Sequence, residues 1–216
     1  MIKGVISDMD GVILDSEKLY VRFWCEAGNF YGYPMQKFHA LSIRSMARPY
    51  AIKRLQGFFG EDFDYDKVRN KRVELMDSFV EKNGIEAKSG AETLLRYLKE
   101  KGIKTALATA TPVDRAKKYL DMVGLLECFD EVCSARMVEH GKPAPDIYLY
   151  AAEKLKLAPK DCIALEDSPN GIRSANAAGC KTVMVPDLDQ PTEEIKPLLF
   201  DIANGLEDVI RIAETC

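Results

Sequence analysis

Two carboxylates stand two positions apart near the start of the chain, Asp8 and Asp10, and Gly11 follows them in VISDMDGVILDS (5–16). The apolar, β-branched Val5–Ile6 before them reads as a short buried strand. Positions i and i+2 of an extended backbone face the same side, so both acids would converge at the strand end. Gly11 allows a sharp turn where a Cβ would clash. Two converging acids repel unless a cation or a proton offsets them, which points to chemistry rather than to a solvated acidic turn.

Three further segments carry polar groups at the same kind of place. KTALATATP (104–112) is an apolar strand ending in hydroxyls, Thr109 and Thr111. HGKPAPDIY (140–148) puts Lys142 on a Gly- and Pro-bounded loop ahead of a helix. CIALEDSPNG (162–171) is a third apolar strand, ending in Glu166 and Asp167. Each later segment is weak evidence alone. The ordered set of four resembles the haloacid dehalogenase superfamily of phosphohydrolases, and the branch holding β-phosphoglucomutases and small-metabolite phosphatases in particular.

The elements that must position these residues follow from the rest of the pattern. Residues 83–216 alternate strand-like and helix-like runs, with strands at 103–109, 130–134, 162–166 and 181–185 and a weaker one near 200–203. Ala91, Leu94, Leu95 and Leu98 form one helical face, and Val113, Ala116, Leu120 and Val123 another. Capping boxes are expected at Ser89–Glu92 and Thr111–Asp114, and Ser168 with Pro169 opens a further helix. The alternation predicts an α/β fold, a Rossmann-like parallel sheet with helices on both faces and ligands bound beyond the carboxyl ends of the strands. Residues 15–82 lack strand alternation. Tyr65, Val68, Arg72, Leu75, Met76 and Phe79 recur there at helical spacing, and Trp24 sits in an aromatic-rich first helix as cap core. The expected division is a catalytic core of 1–14 and 83–216 with a helical cap of 15–82 inserted after the first strand, hinged near Asp15 and Asn83–Gly84. The resemblance implies the same mobile cap.

The resemblance implies roles by position. Asp8 would attack phosphorus and form an aspartyl phosphate. Asp10 would protonate the leaving group, then deprotonate water or a hydroxyl. Asp8, the carbonyl of Asp10, Asp167 and, directly or through water, Glu166 would hold Mg²⁺. Thr109 and the N–H of Ala110 would bind the transferring phosphoryl group, and Lys142 would balance its charge. Substrate contacts are expected from Thr111 and from the cap loop LSIRSM (41–46), through Arg44 or Ser45.

Departures from the branch's glucose phosphomutases favour water as acceptor. Pro112 and Val113 stand where lysine and asparagine are expected, Ser45 falls at the cap arginine position with Arg44 one place earlier, and Tyr20 replaces a histidine. The triplet Asp15–Glu17 looks more like the phosphatases. The expectation is a Mg²⁺-dependent phosphatase of a small phosphorylated metabolite, a sugar phosphate first of all. A β-phosphoglucomutase-type mutase is the alternative, and a non-catalytic binding protein on the same fold a lesser one. A dehalogenase would need neither Asp10 nor the Glu166–Asp167 pair.

Composition agrees. The 216 residues are 47% hydrophobic and 30% charged, with a formal net charge of −4, which leaves no basic footprint for nucleic acid. No run approaches the ~20 apolar residues of a membrane span, and no signal peptide is visible. The six cysteines form no C-x-x-C pair, and with only two histidines present a structural zinc site is not expected. A cytoplasmic monomer is expected.

Overall fold

A computed structural model describes residues 2–44 and 46–216. Six strands form one parallel sheet: β1 (Gly4–Ser7), β2 (Lys104–Thr109), β3 (Glu131–Ser134), β4 (Cys162–Glu166), β5 (Lys181–Met184) and β6 (Asp201–Ile202), in the order β3-β2-β1-β4-β5-β6. β1 and β4 are buried throughout, as a sheet covered on both faces requires. The chain winds from β1 toward β3 on one side and from β4 toward β6 on the other. The order therefore reverses between β1 and β4, the place where such sheets open a ligand crevice. The register aligns the ends: Ser7 lies opposite Leu107 on one side and Leu165 on the other. Asp8, Thr109 and the Glu166–Asp167 pair therefore leave the sheet along one edge.

Alternation assigns the two faces. Val5, Leu107, Ile163, Leu165 and Val183 pack with α5 (Ala91–Glu100), α6 (Val113–Met122) and α9 (Leu206–Thr215). Ile6, Ala106, Ala108 and Ala164 pack with α7 (Asp146–Leu155) and with Ala175 of α8 (Pro169–Ala177). Alanines on this second face leave room for the fully buried Tyr148.

Between β1 and α5 the chain forms four helices and no strand among the described residues: α1 (Glu17–Phe30), α2 (Lys37–Leu41), α3 (Arg48–Phe59) and α4 (Tyr65–Asn83). The helical reading of 15–82 thus matches. Trp24, Ala27, Met35, Leu55, Phe63 and Val68 make a separate apolar cluster. The rings of Trp24 and Tyr65 join α1 to α4 with centroids 5.5 Å apart.

Two expected caps are not formed. α5 starts behind Gly90 with no side-chain cap, so the Ser89–Glu92 box is absent. Gly90 has φ 80°, and a Cβ there would sit 3.0 Å from Glu207 Cγ, so the approach of α9 dictates the turn. α6 starts after Pro112, one residue beyond the expected cap and also without a side-chain cap, while the Thr111 hydroxyl donates to Asp10. Ser168 does cap α8, accepting from the Gly171 N–H at 3.2 Å.

Candidate active site

Asp8 follows β1 directly, its N–H donating to the Leu165 carbonyl at 2.9 Å, so its position is locked to β4. The next residues form a tight turn in which the Leu14 N–H donates to the Met9 carbonyl at 2.9 Å. Gly11 has φ +82° and packs on Asp167, where a Cβ would collide with the carboxylate. The glycine is thus needed for both the turn and the close approach.

Lys142 lies between two acids. Its Nζ is 3.1 Å from Asp8 Oδ1 and 2.5 Å from Glu166 Oε1, and the side chain is 2% exposed. Glu166 Oε1 also accepts from the Tyr148 hydroxyl at 2.6 Å, and Oε2 from Ser168 at 3.3 Å. Gly171 packs against the same carboxylate closely enough that a Cβ would overlap it. Glu166 is thereby held as the counter-ion of Lys142. Burial, together with the Asp10 and Glu166 charges, pushes the Asp8 carboxyl up to about 7, although Lys142 opposes this. The two acids in turn hold the Lys142 ammonium charged, well above its ordinary range.

Asp10 is buried and fully engaged. Oδ1 accepts from Ser16 at 2.6 Å and Oδ2 from Thr111 at 2.9 Å. Tyr20 OH lies 3.1 Å from the same Thr111 hydroxyl. Burial raises the Asp10 carboxyl, while these two hydrogen bonds and the Arg72 charge lower it. Thr109 is fully buried and accepts the Thr111 N–H at 3.0 Å, whereas Ala110 and Thr111 line the cavity.

Arg44 crosses from the α2–α3 loop into the acidic end of the site. Its guanidinium pairs with Asp167 Oδ2, with Glu17 at 3.2 Å and with Asp189 at 3.2 Å. Asn170 donates to the Arg44 carbonyl at 3.1 Å, and the Ala47 N–H to the Lys142 carbonyl at 3.2 Å. These contacts hold the cap loop on the sheet's edge. Ser45, the other cap-loop candidate, lies outside the described residues.

Asp8, Glu166 and Asp167 each offer an oxygen, all within 4.8 Å of one another. Asp167 Oδ1 is buried without a hydrogen-bond partner. Burial raises Asp167 well above the usual carboxylate range, against the pull of Arg44. Oxygen-only donors with an orphaned Asp167 oxygen among them fit a hard divalent cation such as Mg²⁺.

Beside these groups lies a cavity of about 510 Å³ lined by Asp8, Asp10 and Lys142 together with residues of α1, α4 and the cap loop. The sequence reading missed Glu17, Tyr148, Ser16 and Arg72 as members of this site. Glu17 belongs to the triplet already set apart, and Tyr148 to the Lys142 segment. Arg72 gave a clear signal, a charge in an otherwise apolar helical stripe.

Residues 2–179 match the family described as haloacid dehalogenase-like hydrolase. The chain belongs to this family. Relatives of the haloacid dehalogenase-like chain include Hexitol phosphatase A of Escherichia coli, 33% identical over 85% of this chain and 82% of that protein. Phosphorylated carbohydrates phosphatase of Thermotoga maritima is 31% identical over 84% of each. Among solved structures, β-phosphoglucomutase from Clostridium difficile superposes with a TM-score of 0.83 at 26% identity, covering 99% of this chain and 96% of that one. The fold and family expected from the four segments are thus borne out. No described helix is long and apolar enough to cross a membrane.

Proposed function

We propose that this haloacid dehalogenase-like hydrolase is a Mg²⁺-dependent phosphatase acting on a small phosphorylated metabolite, with a sugar phosphate the first class to try. The carrying observation is Asp8 in the cavity lining, 3.1 Å from the buried Lys142 ammonium and grouped with oxygens of Glu166 and Asp167 within 4.8 Å of one another. Relatives named as hexitol and carbohydrate phosphatases support the substrate class.

In this reading an Asp8 carboxylate oxygen attacks phosphorus and the ester P–O bond breaks. Asp10 gives its proton to the leaving oxygen. Water then attacks the aspartyl phosphate, loses a proton to Asp10, and frees the Asp8 carboxylate and inorganic phosphate. A carboxyl raised by burial suits the acid step, and Ser16 and Thr111 fix its direction. Lys142 balances charge on Asp8 and the phosphoryl oxygens, aided by the Ala110 N–H. Asp8, Asp167 and the Asp10 carbonyl would hold Mg²⁺, with Glu166 behind Lys142. When bound, the ion would screen the phosphoryl charge that otherwise repels the nucleophile. The helices of 15–82 would act as a cap, with Arg44 as its latch on Asp167, Glu17 and Asp189.

Water is favoured over a hydroxyl acceptor. Arg44 is occupied by three carboxylates, and Pro112 and Val113 offer no polar side chain at the two positions where the branch's glucose phosphomutases are expected to carry lysine and asparagine. Purified protein with Mg²⁺ should release phosphate from an aryl phosphate, and EDTA should stop it. With glucose 1-phosphate and catalytic bisphosphate it should form little glucose 6-phosphate. Isomerisation faster than phosphate release would overturn the phosphatase reading, and full activity in EDTA the metal.

A further inference from the structure

Arg72 stands apart from the other cations of the site. It belongs to the buried stripe of α4, with Tyr65, Val68, Met76 and Val80, and is 6% exposed. Its guanidinium rests on the ring faces of Tyr20 and Trp24, at 4.9 and 5.5 Å from their centroids. Its hydrogen-bond partner is the Met76 sulfur at 4.0 Å, a weak acceptor, and its Nε has none. Among the described residues no carboxylate pairs with it. A buried charge without a counter-ion is costly, and here it is crowded further. Arg69, one turn earlier, and Arg115, from α6, line the same cavity. Arg115 is held by Asp77 at 2.9 Å, but Arg69 has no carboxylate partner among the described residues. Burial and these like charges press the Arg72 guanidinium below its ordinary value.

The cavity is therefore bipolar. Its lining holds carboxylates that call for a cation, Asp8 and Asp10, and guanidinium groups free of a carboxylate partner among the described residues, Arg69 and Arg72, that call for an anion. The aromatic faces hold Arg72 in place but supply no hydrogen-bond acceptor for its N–H groups, so the fork stays open to a ligand.

Resting on the phosphatase reading, we propose that Arg72 receives a second anionic group of the substrate, so that the substrate is a phosphate monoester that also carries a carboxylate or a second phosphate. The phosphoryl group at Asp8 and the second anion at Arg72 would share one cavity, whose lining includes both residues. A charge-assisted contact to a buried guanidinium separates such a substrate from its neutral analogue by about tenfold or more.

The test compares kcat/KM of the wild type across matched sets. Sorbitol 6-phosphate, 6-phosphogluconate and sorbitol 1,6-bisphosphate differ at the far carbon. Glycerol 3-phosphate and 3-phosphoglycerate make a shorter pair. In at least one set an anion-bearing member should exceed its neutral partner by about tenfold, and the six-carbon arms distinguish carboxylate from phosphate. Arg72→Gln should collapse that ratio through KM more than kcat, and Arg72→Lys should keep part of it. Neutral members equal or better in both sets would overturn the inference, as would a ratio unchanged in Arg72→Gln. If Arg72→Gln does not fold, the wild-type ratios and Arg72→Lys still decide. Aryl phosphate hydrolysis separates the two claims: its absence in the wild type sinks the phosphatase reading, while its presence without any anion preference sinks this inference alone.

Discussion

Replacing Lys142 with methionine removes a charge while keeping most of the side-chain volume. At an effective dielectric near 20, its attraction is about 5 kcal/mol for Asp8 at 3.1 Å and about 7 kcal/mol for Glu166 at 2.5 Å. Desolvation of the buried ammonium absorbs much of this, and breaking such a pair costs about 3–5 kcal/mol net because the acids are left uncompensated. The pH dependence gives a sharper test. Asp8 sits at about 7 with Lys142 present, and losing the lysine raises it further. Above about pH 7 the metal-free variant then holds a proton that the wild type has released. The destabilisation grows with pH there by up to about 1.4 kcal/mol per unit. Urea unfolding of both proteins in EDTA at about pH 6 and about pH 8 measures it. The double variant Lys142→Met/Glu166→Met should lose less than the sum of the single losses, because the two side chains interact directly. A loss under about 1 kcal/mol that does not change with pH would refute the reasoning about this buried cluster.

Other consequences follow from single contacts. Gly171→Ala should destabilise by about 1–3 kcal/mol in urea, against the ~1 kcal/mol that alanine ordinarily gains within a helix, because its Cβ would overlap the Glu166 carboxylate; a more stable variant contradicts this packing. The rise in Tm on adding Mg²⁺ should be larger at about pH 8 than at about pH 6, because the raised carboxyls of Asp8 and Asp167 must lose protons before they ligate. In the metal-free protein the same raised groups make stability fall as pH increases over that range, and a Mg²⁺ shift that is largest at low pH would contradict both statements. Thr111→Val removes a hydrogen bond that lowers the Asp10 carboxyl, so the alkaline limb of the kcat/KM profile, which reports the protonated Asp10 that serves the leaving oxygen, should move to higher pH by up to about one unit. An unmoved limb would free Asp10 from the role given to it.

The core of this arrangement is legible from sequence because the sheet carries it. Apolar runs mark β1, β2 and β4, and a polar residue at the end of a buried strand can only leave the sheet at its carboxyl edge. Asp8, Thr109 and Glu166–Asp167 are placed by that argument alone. Cap contacts are not legible in this way. Arg44 meets Glu17, Asp167 and Asp189, residues far apart in the chain, and no local spacing encodes their meeting. Thr111 looks like a helix cap from its neighbours, yet α6 starts one residue later, behind Pro112, and the Thr111 hydroxyl donates to the buried Asp10 carboxylate. Ser89 loses its capping role to Gly90 because α9 packs too closely for a side chain there. Arg72 sits at an apolar position of its helix, and helical spacing alone assigns it to the cap interior. Only the cavity shows that its charge lacks a partner.

In the proposed reaction Asp8 becomes covalently phosphorylated. Radiolabelled phosphoester substrate, mixed with enzyme and Mg²⁺ and quenched in acid within the first turnover, should leave label on the peptide that contains Asp8. Hydroxylamine should release that label, and Asp8→Asn should show neither label nor turnover. Label on another residue, or turnover retained in Asp8→Asn, would contradict the account.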